Sequence, residues 1–246
     1  MKERIAECRA SLLEAHRGGR KATLPAGLQL ADAYAIQDAA YRELSGGARP
    51  IAWKVGSPSA DVEPVAAQIV PGRLVTSPAR LPARGLAMIG VEIEIAFRFA
   101  RDVADPEAAL DCVGEALVAI ELCDTRLADF ESADAMAKLA DFQSNSALVT
   151  GSAARDWKRL DFLRLTGELW LDGRKHKSAT GAHPFGDPAR MLPWAARHCA
   201  ARGAPLRAGD VVTTGSWTGM DIVPPGTRAR AVFGGIGEAE LEIAKD

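Results

Sequence analysis

Between Gly90 and Phe99 the chain reads GVEIEIAFRF, with Val91, Ile93, Ile95, Phe97 and Phe99 separated by Glu92, Glu94, Ala96 and Arg98. A period of two is the pattern of a half-buried strand. Upstream the period is helical. Ile5, Cys8, Leu12 and Ala15 form one stripe that stops at Gly18-Gly19. Ala33, Ile36, Ala40 and Leu44 form the inward face of a second helix from Ala31 to Leu44, stopped by Gly46-Gly47. PIAWKVGSPS predicts a short strand ending in a turn. Residues 62–72 carry no clear period, and a short helix followed by a loop is expected there. The Pro-rich PARLPARG predicts a connection over 78–85.

Downstream the texture changes to strands. A short helix is expected from Pro106, leading into ALVAIELCD, an apolar run interrupted by Glu121. FLRLTGELWLDGRKHKSAT predicts a hairpin turning at Asp172-Gly173. A helix from Pro188 to Arg202 presents Met191, Trp194, Ala195 and His198. The rest reads strand, turn, strand, turn, strand, with turns at Gly209-Asp210, Pro225-Gly226 and Gly234-Gly235. This order predicts a β-rich α+β protein, with its helices gathered mainly over residues 1–83 and a β-rich region over 84–246.

Composition narrows the partners. With 246 residues the chain can bury a full core, and 48% hydrophobic with 25% charged residues is ordinary for a soluble protein. A net charge of −2 gives no electrostatic reason to expect nucleic acid or an anionic membrane. No apolar run approaches the roughly 20 residues of a membrane span. The first residues carry Glu3, Glu7 and Glu14 and lack a signal peptide's apolar stretch. Cys8, Cys112, Cys123 and Cys199 form no C-x-x-C pair, so neither a zinc site nor a disulfide frame is expected. A reducing cytoplasm is the expected compartment.

Candidate chemistry starts from three carboxylates. Glu92 and Glu94 lie on one face, their backbones roughly 6.5–7 Å apart. They either face water, as charges on a strand commonly do, or converge on a cation. Glu121 bears on the choice, because its neighbours in ALVAIEL all favour burial and a buried carboxylate needs a partner. Three carboxylates on an inner surface repel one another unless a cation lies between them. All-oxygen ligation favours Mg²⁺ or Mn²⁺ over Zn²⁺. Lys54 is either a solvated strand-end lysine or a charge balancing such a site. TTGSWTG, residues 213–219, is either a plain turn or a backbone nest for an anion. His183, in a loop before Pro184, reads as a structural histidine. No Ser-His-Asp spacing, G-x-S-x-G, Walker loop or G-x-G-x-x-G is present.

DAYAIQ, WKVG, GVEIEIAF, AIELCDTRL, LADFQSNSALVTG, HPFGDPARMLPW and LRAGDVVTTGSWTG occur in an order that resembles one family. It is the 2-keto-4-pentenoate hydratase and 4-oxalocrotonate decarboxylase branch of the fumarylacetoacetate hydrolase superfamily. The resemblance runs from about Leu24 to the end of the chain. It implies a mixed β-roll as a metal-binding catalytic domain over 84–246, an N-terminal helical region over 1–83 packed on it, Mg²⁺ or Mn²⁺ on Glu92, Glu94 and Glu121, and a catalytic Lys54. It also implies a substrate-carboxylate segment at Thr214, Gly215 and Ser216, and Asp141 beside the site as an acid. A homo-oligomer is implied as well.

The activity implied is hydration of a 2-hydroxy-dienoate or 2-oxo-alkenoate in aromatic catabolism. The alternatives are decarboxylation of a 2-oxo acid, C–C hydrolysis of an acylpyruvate, or a poorly catalytic binding subunit of a hydratase–decarboxylase complex. One departure separates them. Hydratases of this group carry a Pro-Asp-x-Gly-like segment whose Asp handles protons, whereas the matching stretch here is QIVPGRL, with no acid at Val70 or Pro71.

Overall fold

The computed structural model describes residues 2–245. Helices α1 (Lys2–His16) and α2 (Leu30–Leu44) form where the apolar stripes place them. Cys8, Leu12, Ala33 and Ile36 are buried between them and a later helix. Strands β1 (Ala52–Gly56), β2 (Val65–Gln68), β3 (Leu74–Thr76) and β4 (Ala79–Pro82) follow. Then come β5 (Gly90–Phe99), a 3₁₀ turn running into α3 (Ala109–Cys112), β6 (Val113–Cys123), α4 (Ala135–Ala140) and β7 (Asn145–Ala154). The hairpin β8 (Thr166–Leu171) and β9 (Arg174–Thr180) precedes α5 (Leu192–Ala201). The chain closes with β10 (Val211–Ser216), β11 (Asp221–Ile222), β12 (Arg228–Phe233) and β13 (Gly237–Ala244).

Two sheets result. The larger has eight strands in the order β2-β1-β10-β5-β6-β7-β3, with β11 beside β5. Its edges β2 and β3 are joined only by residues 69–73. That link reaches at most about 21 Å, whereas a flat sheet of this width would part its edges by about 29 Å. The sheet therefore curls, and Ile69, Leu74, Leu117 and Leu148 pack inside the curl. Its other face meets the second sheet, β4-β13-β12-β8-β9. Ile93, Ile95 and Phe97 of β5 share that core with Leu169, Phe233 and Leu241, and α5 adds Leu192 and Ala195. Asp172 (φ 50°) and Gly173 (φ 78°) turn the β8–β9 hairpin at the expected dipeptide, both central residues left-handed as a type I′ turn requires.

Three expectations change. Residues 65–68 are strand β2, not helix. Tyr34 and Gln37 of α2 cover the strand's outer edge, the Ala66 amide donating to the Tyr34 hydroxyl (3.2 Å) and Gln37 Nε2 donating to the Ala66 carbonyl (3.4 Å). The 78–85 connection contains β4, parallel to β13 at a sheet edge, where proline is tolerated. The split after residue 83 passes through both sheets, because β1 to β4 precede it and are hydrogen-bonded into them.

Candidate active site

The strand register assembles the site. Glu92 on β5 stands directly opposite Glu121 on β6, and Glu94 lies two residues along the same face. Lys54 comes from β1, which reaches β5 through β10: Lys54 pairs with Thr213, and Thr213 with Ala96. The Lys54 ammonium lies 2.7 Å from Glu121 Oε2 and 3.6 Å from Glu92 Oε2, and donates to the Gln143 carbonyl (3.2 Å). Glu94 and Glu121 are fully buried, and the Glu92 side chain is 14% exposed. Both glutamates of β5 therefore face the carboxylate cluster.

Each carboxylate is oriented by a neighbour. Asn145 Nδ2 donates to Glu121 Oε1 at 2.9 Å. The Thr213 hydroxyl and the Gly215 amide (3.1 Å) both donate to Glu94 Oε2. Glu94 Oε1 is buried with no hydrogen-bond partner among the described residues. Burial and the charge of Glu121 push the Glu94 carboxyl well above the usual carboxylate range. Burial also raises Glu92, against the pull of Lys54. Burial works against the Lys54 ammonium, yet the carboxylates, Glu121 foremost, hold its pKa well above the ordinary lysine value. Three carboxylates and one ammonium leave a formal charge of −2 in a largely buried pocket, where each ion costs several kcal/mol to desolvate.

A divalent ion fits this donor set. It would cancel the excess charge and give Glu94 Oε1 a partner, and hard oxygen donors suit Mg²⁺, Mn²⁺ or Ca²⁺. Glu92, Glu121 and Cys123 each offer a ligand atom within 4.8 Å of the other two. Cys123 was not anticipated. It lies two residues beyond Glu121 on the same strand, Sγ 3.6 Å from Glu92 Oε2.

Asp141 opens the loop beside the site, where it was expected, and its carboxylate is engaged there. It is fully buried, with Arg126 Nε donating to Oδ1 at 2.5 Å, and the Arg126 amide (2.9 Å) and Thr125 hydroxyl (3.4 Å) donating to Oδ2. Both carboxylate oxygens are thus occupied by Arg126 and Thr125. The pair of Asp141 and Arg126 anchors a backbone turn in which Phe142, Gln143 and Ser144 all take positive φ, 53°, 50° and 62°. Arg126 also donates to the carbonyls of Asp141 (2.7 Å) and Asn145 (2.9 Å), at either end of that turn. Three successive non-glycine residues there cost of order 1 kcal/mol or more each, and the turn delivers the carbonyl that Lys54 meets.

The anion segment divides. The Thr214 hydroxyl is committed to the Ile95 carbonyl at 2.7 Å. Gly215 (φ 99°) sits at a bulge and turns its amide to Glu94. Ser216 Oγ is buried without a hydrogen-bond partner among the described residues, which leaves it able to receive a ligand. His183 is structural: the Phe185 amide donates to Nδ1 (3.2 Å), so Nε2 carries the proton and donates to the Thr214 carbonyl (2.8 Å).

The family model for the fumarylacetoacetate (FAA) hydrolase C-terminal domain matches residues 30–244. A 2-keto-4-pentenoate hydratase of Burkholderia vietnamiensis is 31% identical over 98% of both chains. One of Paraburkholderia xenovorans is 28% identical over 96% of this chain and 94% of its own. Among solved structures, 4-oxalocrotonate decarboxylase from Pseudomonas putida G7, complexed with calcium and acetate, superposes with a TM-score of 0.85 at 19% identity, covering 99% of this chain and 98% of the other. The same enzyme with magnesium and adipate gives 0.84 at 20% identity, covering 98% and 97%. The chain belongs to the fumarylacetoacetate hydrolase family, in the branch of the 2-keto-4-pentenoate hydratases and 4-oxalocrotonate decarboxylases, and has that family's fold.

Proposed function

We propose that this protein is a hydro-lyase that uses Mg²⁺ or Mn²⁺ to hydrate a 2-hydroxy-dienoate or its 2-oxo-alkenoate tautomer in aromatic-compound catabolism. The observation that carries the reading is the cross-strand pair Glu92–Glu121 with Lys54 against it, an excess of buried negative charge built into paired strands. The full-length likeness to named hydratases supports the reaction. The magnesium and adipate held by the decarboxylase of like fold support a divalent ion and a carboxylate ligand.

Glu92, Glu94 and Glu121 would hold the ion. Bound there, it supplies an electron sink for charge developing on the oxygen of a 2-oxo acid. The chain's own groups do the rest. Lys54 balances the carboxylates and, held protonated by them, offers its Nζ proton to the substrate carbon. Ser216 Oγ donates to the substrate carboxylate. Asn145 and Gly215 fix the glutamates, so little reorganisation accompanies charge development. Purified protein with Mg²⁺ should bleach the ultraviolet absorbance of 2-hydroxypenta-2,4-dienoate, and EDTA should abolish this. An inert chain with metal bound would leave only a binding subunit.

Decarboxylation is the second reading, favoured by one observation. With Asp141 held by Arg126 and no acid at Val70 or Pro71, Lys54 is the only basic side chain in the described cluster. Hydration needs a proton and a water placed at two carbons, whereas CO₂ loss needs the electron sink and one carrier. Deuterium exchange at C3 of a 2-oxo acid, followed by NMR and compared with the hydration rate, separates the two. Exchange far outrunning hydration points to decarboxylation.

A further inference from the structure

The carboxylate cluster has a sulfur side. Cys123 is buried with its Sγ 3.6 Å from Glu92 Oε2, inside the triplet of ligand atoms within 4.8 Å of one another. Glycine at position 90, its strand partner, makes the room. A Cβ there would stand 2.6 Å from the Met220 sulfur and 3.0 Å from Cys123 Cβ, so both sulfur side chains lie against Gly90. Cys112 and Cys199 lie in the core between the sheets and Cys8 among the helices, so Cys123 alone of the four cysteines joins the carboxylates. An independent sign that this pocket takes a ligand is Glu94, fully buried with Oε1 unpartnered.

We propose that Cys123 makes this a mixed oxygen and sulfur site, able to bind thiophilic divalent ions such as Co²⁺ or Cd²⁺ through Glu92, Glu121 and the Cys123 thiolate. The inference rests on the metal-site reading above and concerns which ions the site prefers. Hard ions gain little from sulfur, whereas softer ions gain much. Mg²⁺ would use the carboxylates, while a softer ion would recruit the thiol. As the sulfur–metal bond forms, the thiol proton leaves to solvent water. Three carboxylates, a thiolate and the ion then sum to −2, which the neighbouring Lys54 ammonium halves. The functional consequence is competition: a thiophilic ion displaces Mg²⁺ from the site.

The test uses full-length protein stripped of metal and titrated with Co²⁺. The wild type should develop a sulfur-to-cobalt charge-transfer band in the near ultraviolet, and Cys123→Ser should bind Co²⁺ without it. Calorimetry should show Cys123→Ser losing on the order of tenfold or more in Cd²⁺ affinity, the scale on which even outer-shell partners matter, and far less in Mg²⁺ affinity. The wild-type spectrum stands whether or not the variant folds. Co²⁺ bound without the band would overturn the inference while leaving the carboxylate site intact. A band retained in Cys123→Ser would place the sulfur elsewhere and overturn it too. Failure of the wild type to bind either Mg²⁺ or Co²⁺ would remove the metal-site reading itself.

Discussion

Two strands of this protein carry the same pattern and opposite physics. In β5, Glu92 and Glu94 alternate with Val91, Ile93 and Ile95; in β13, Glu238, Glu240 and Glu242 alternate with Ala239, Leu241 and Ile243. Each strand buries its apolar residues between the same two sheets. The difference lies across the strand. Glu242 stands opposite Arg228 and Glu240 opposite Arg230, with Arg228 and Arg80 3.3 and 3.2 Å from the Glu242 carboxylate and Arg230 3.2 Å from Glu238. Glu92 stands opposite Glu121. Matched charges on an open face make a solvated ladder. Like charges on a closed face need a cation from outside, so alternation reports a strand and the facing residue reports whether it carries chemistry.

The largest departure should come from removing the cation that the β5 face does possess. Lys54→Met leaves three buried carboxylates without their ammonium. Turnover should fall by roughly 100-fold or more if Lys54 moves a proton. The metal-free protein should lose about 3 kcal/mol, the scale of breaking a buried pair, and Mg²⁺ should restore much of that by binding the folded state. Steady-state kinetics and urea melts with and without Mg²⁺ check both parts. Wild-type turnover would return Lys54 to a purely structural role.

Glu121→Gln keeps the volume and removes one charge from the crowded side. Mg²⁺ affinity should drop by roughly 100-fold, at the upper end of what loss of an outer-shell partner costs. The metal-free fold should move little, because Lys54 retains Glu92 at 3.6 Å. Unchanged affinity by calorimetry would show that the ion does not use this carboxylate.

The contrast also explains what was legible in the sequence. Alternation located β5 from Gly90 to Phe99, and the single charge in ALVAIEL marked Glu121 as a buried ion before any partner was known. The Asp172-Gly173 turn was local and therefore visible. β2 was not, because VAAQ has no period and is held by Tyr34 and Gln37, about thirty residues away. β4 hid behind its prolines, its partner β13 lying at the far end of the chain. The partner of Asp141 was illegible for a related reason: a resemblance can match an acid to a position, but the guanidinium of Arg126 against it comes from a different segment. Cys123 had a signal, its i+2 spacing from Glu121, which the apolar run around it obscured.

Asp141 supplies the next comparison, a buried pair that is complete within the chain against a cluster that is not. Asp141→Asn should cost about 3 kcal/mol, because Arg126 stays buried against a neutral partner. Turnover should fall only as far as the 142–144 turn loosens, and the pH–rate profile should keep both limbs. Loss of a limb in that variant would restore Asp141 as a proton carrier and contradict its engagement by Arg126 and Thr125.

The smallest effect belongs to the surface ladder. Glu242→Gln removes a carboxylate that is 35% exposed and shared by two arginines. Exposed pairs contribute about 0–1 kcal/mol each and are screened by salt. The variant should therefore lose no more than about 1 kcal/mol in urea denaturation at low ionic strength, and the difference should vanish in 1 M salt. Mg²⁺ affinity and turnover should match the wild type, since Glu242 lies on the second sheet and the proposed metal ligands on the first. A loss above about 2 kcal/mol, or one that persists in salt, would mean that the β13 carboxylates are as buried in effect as those of β5. The facing residue would then no longer separate a structural E-x-E strand from a chemical one.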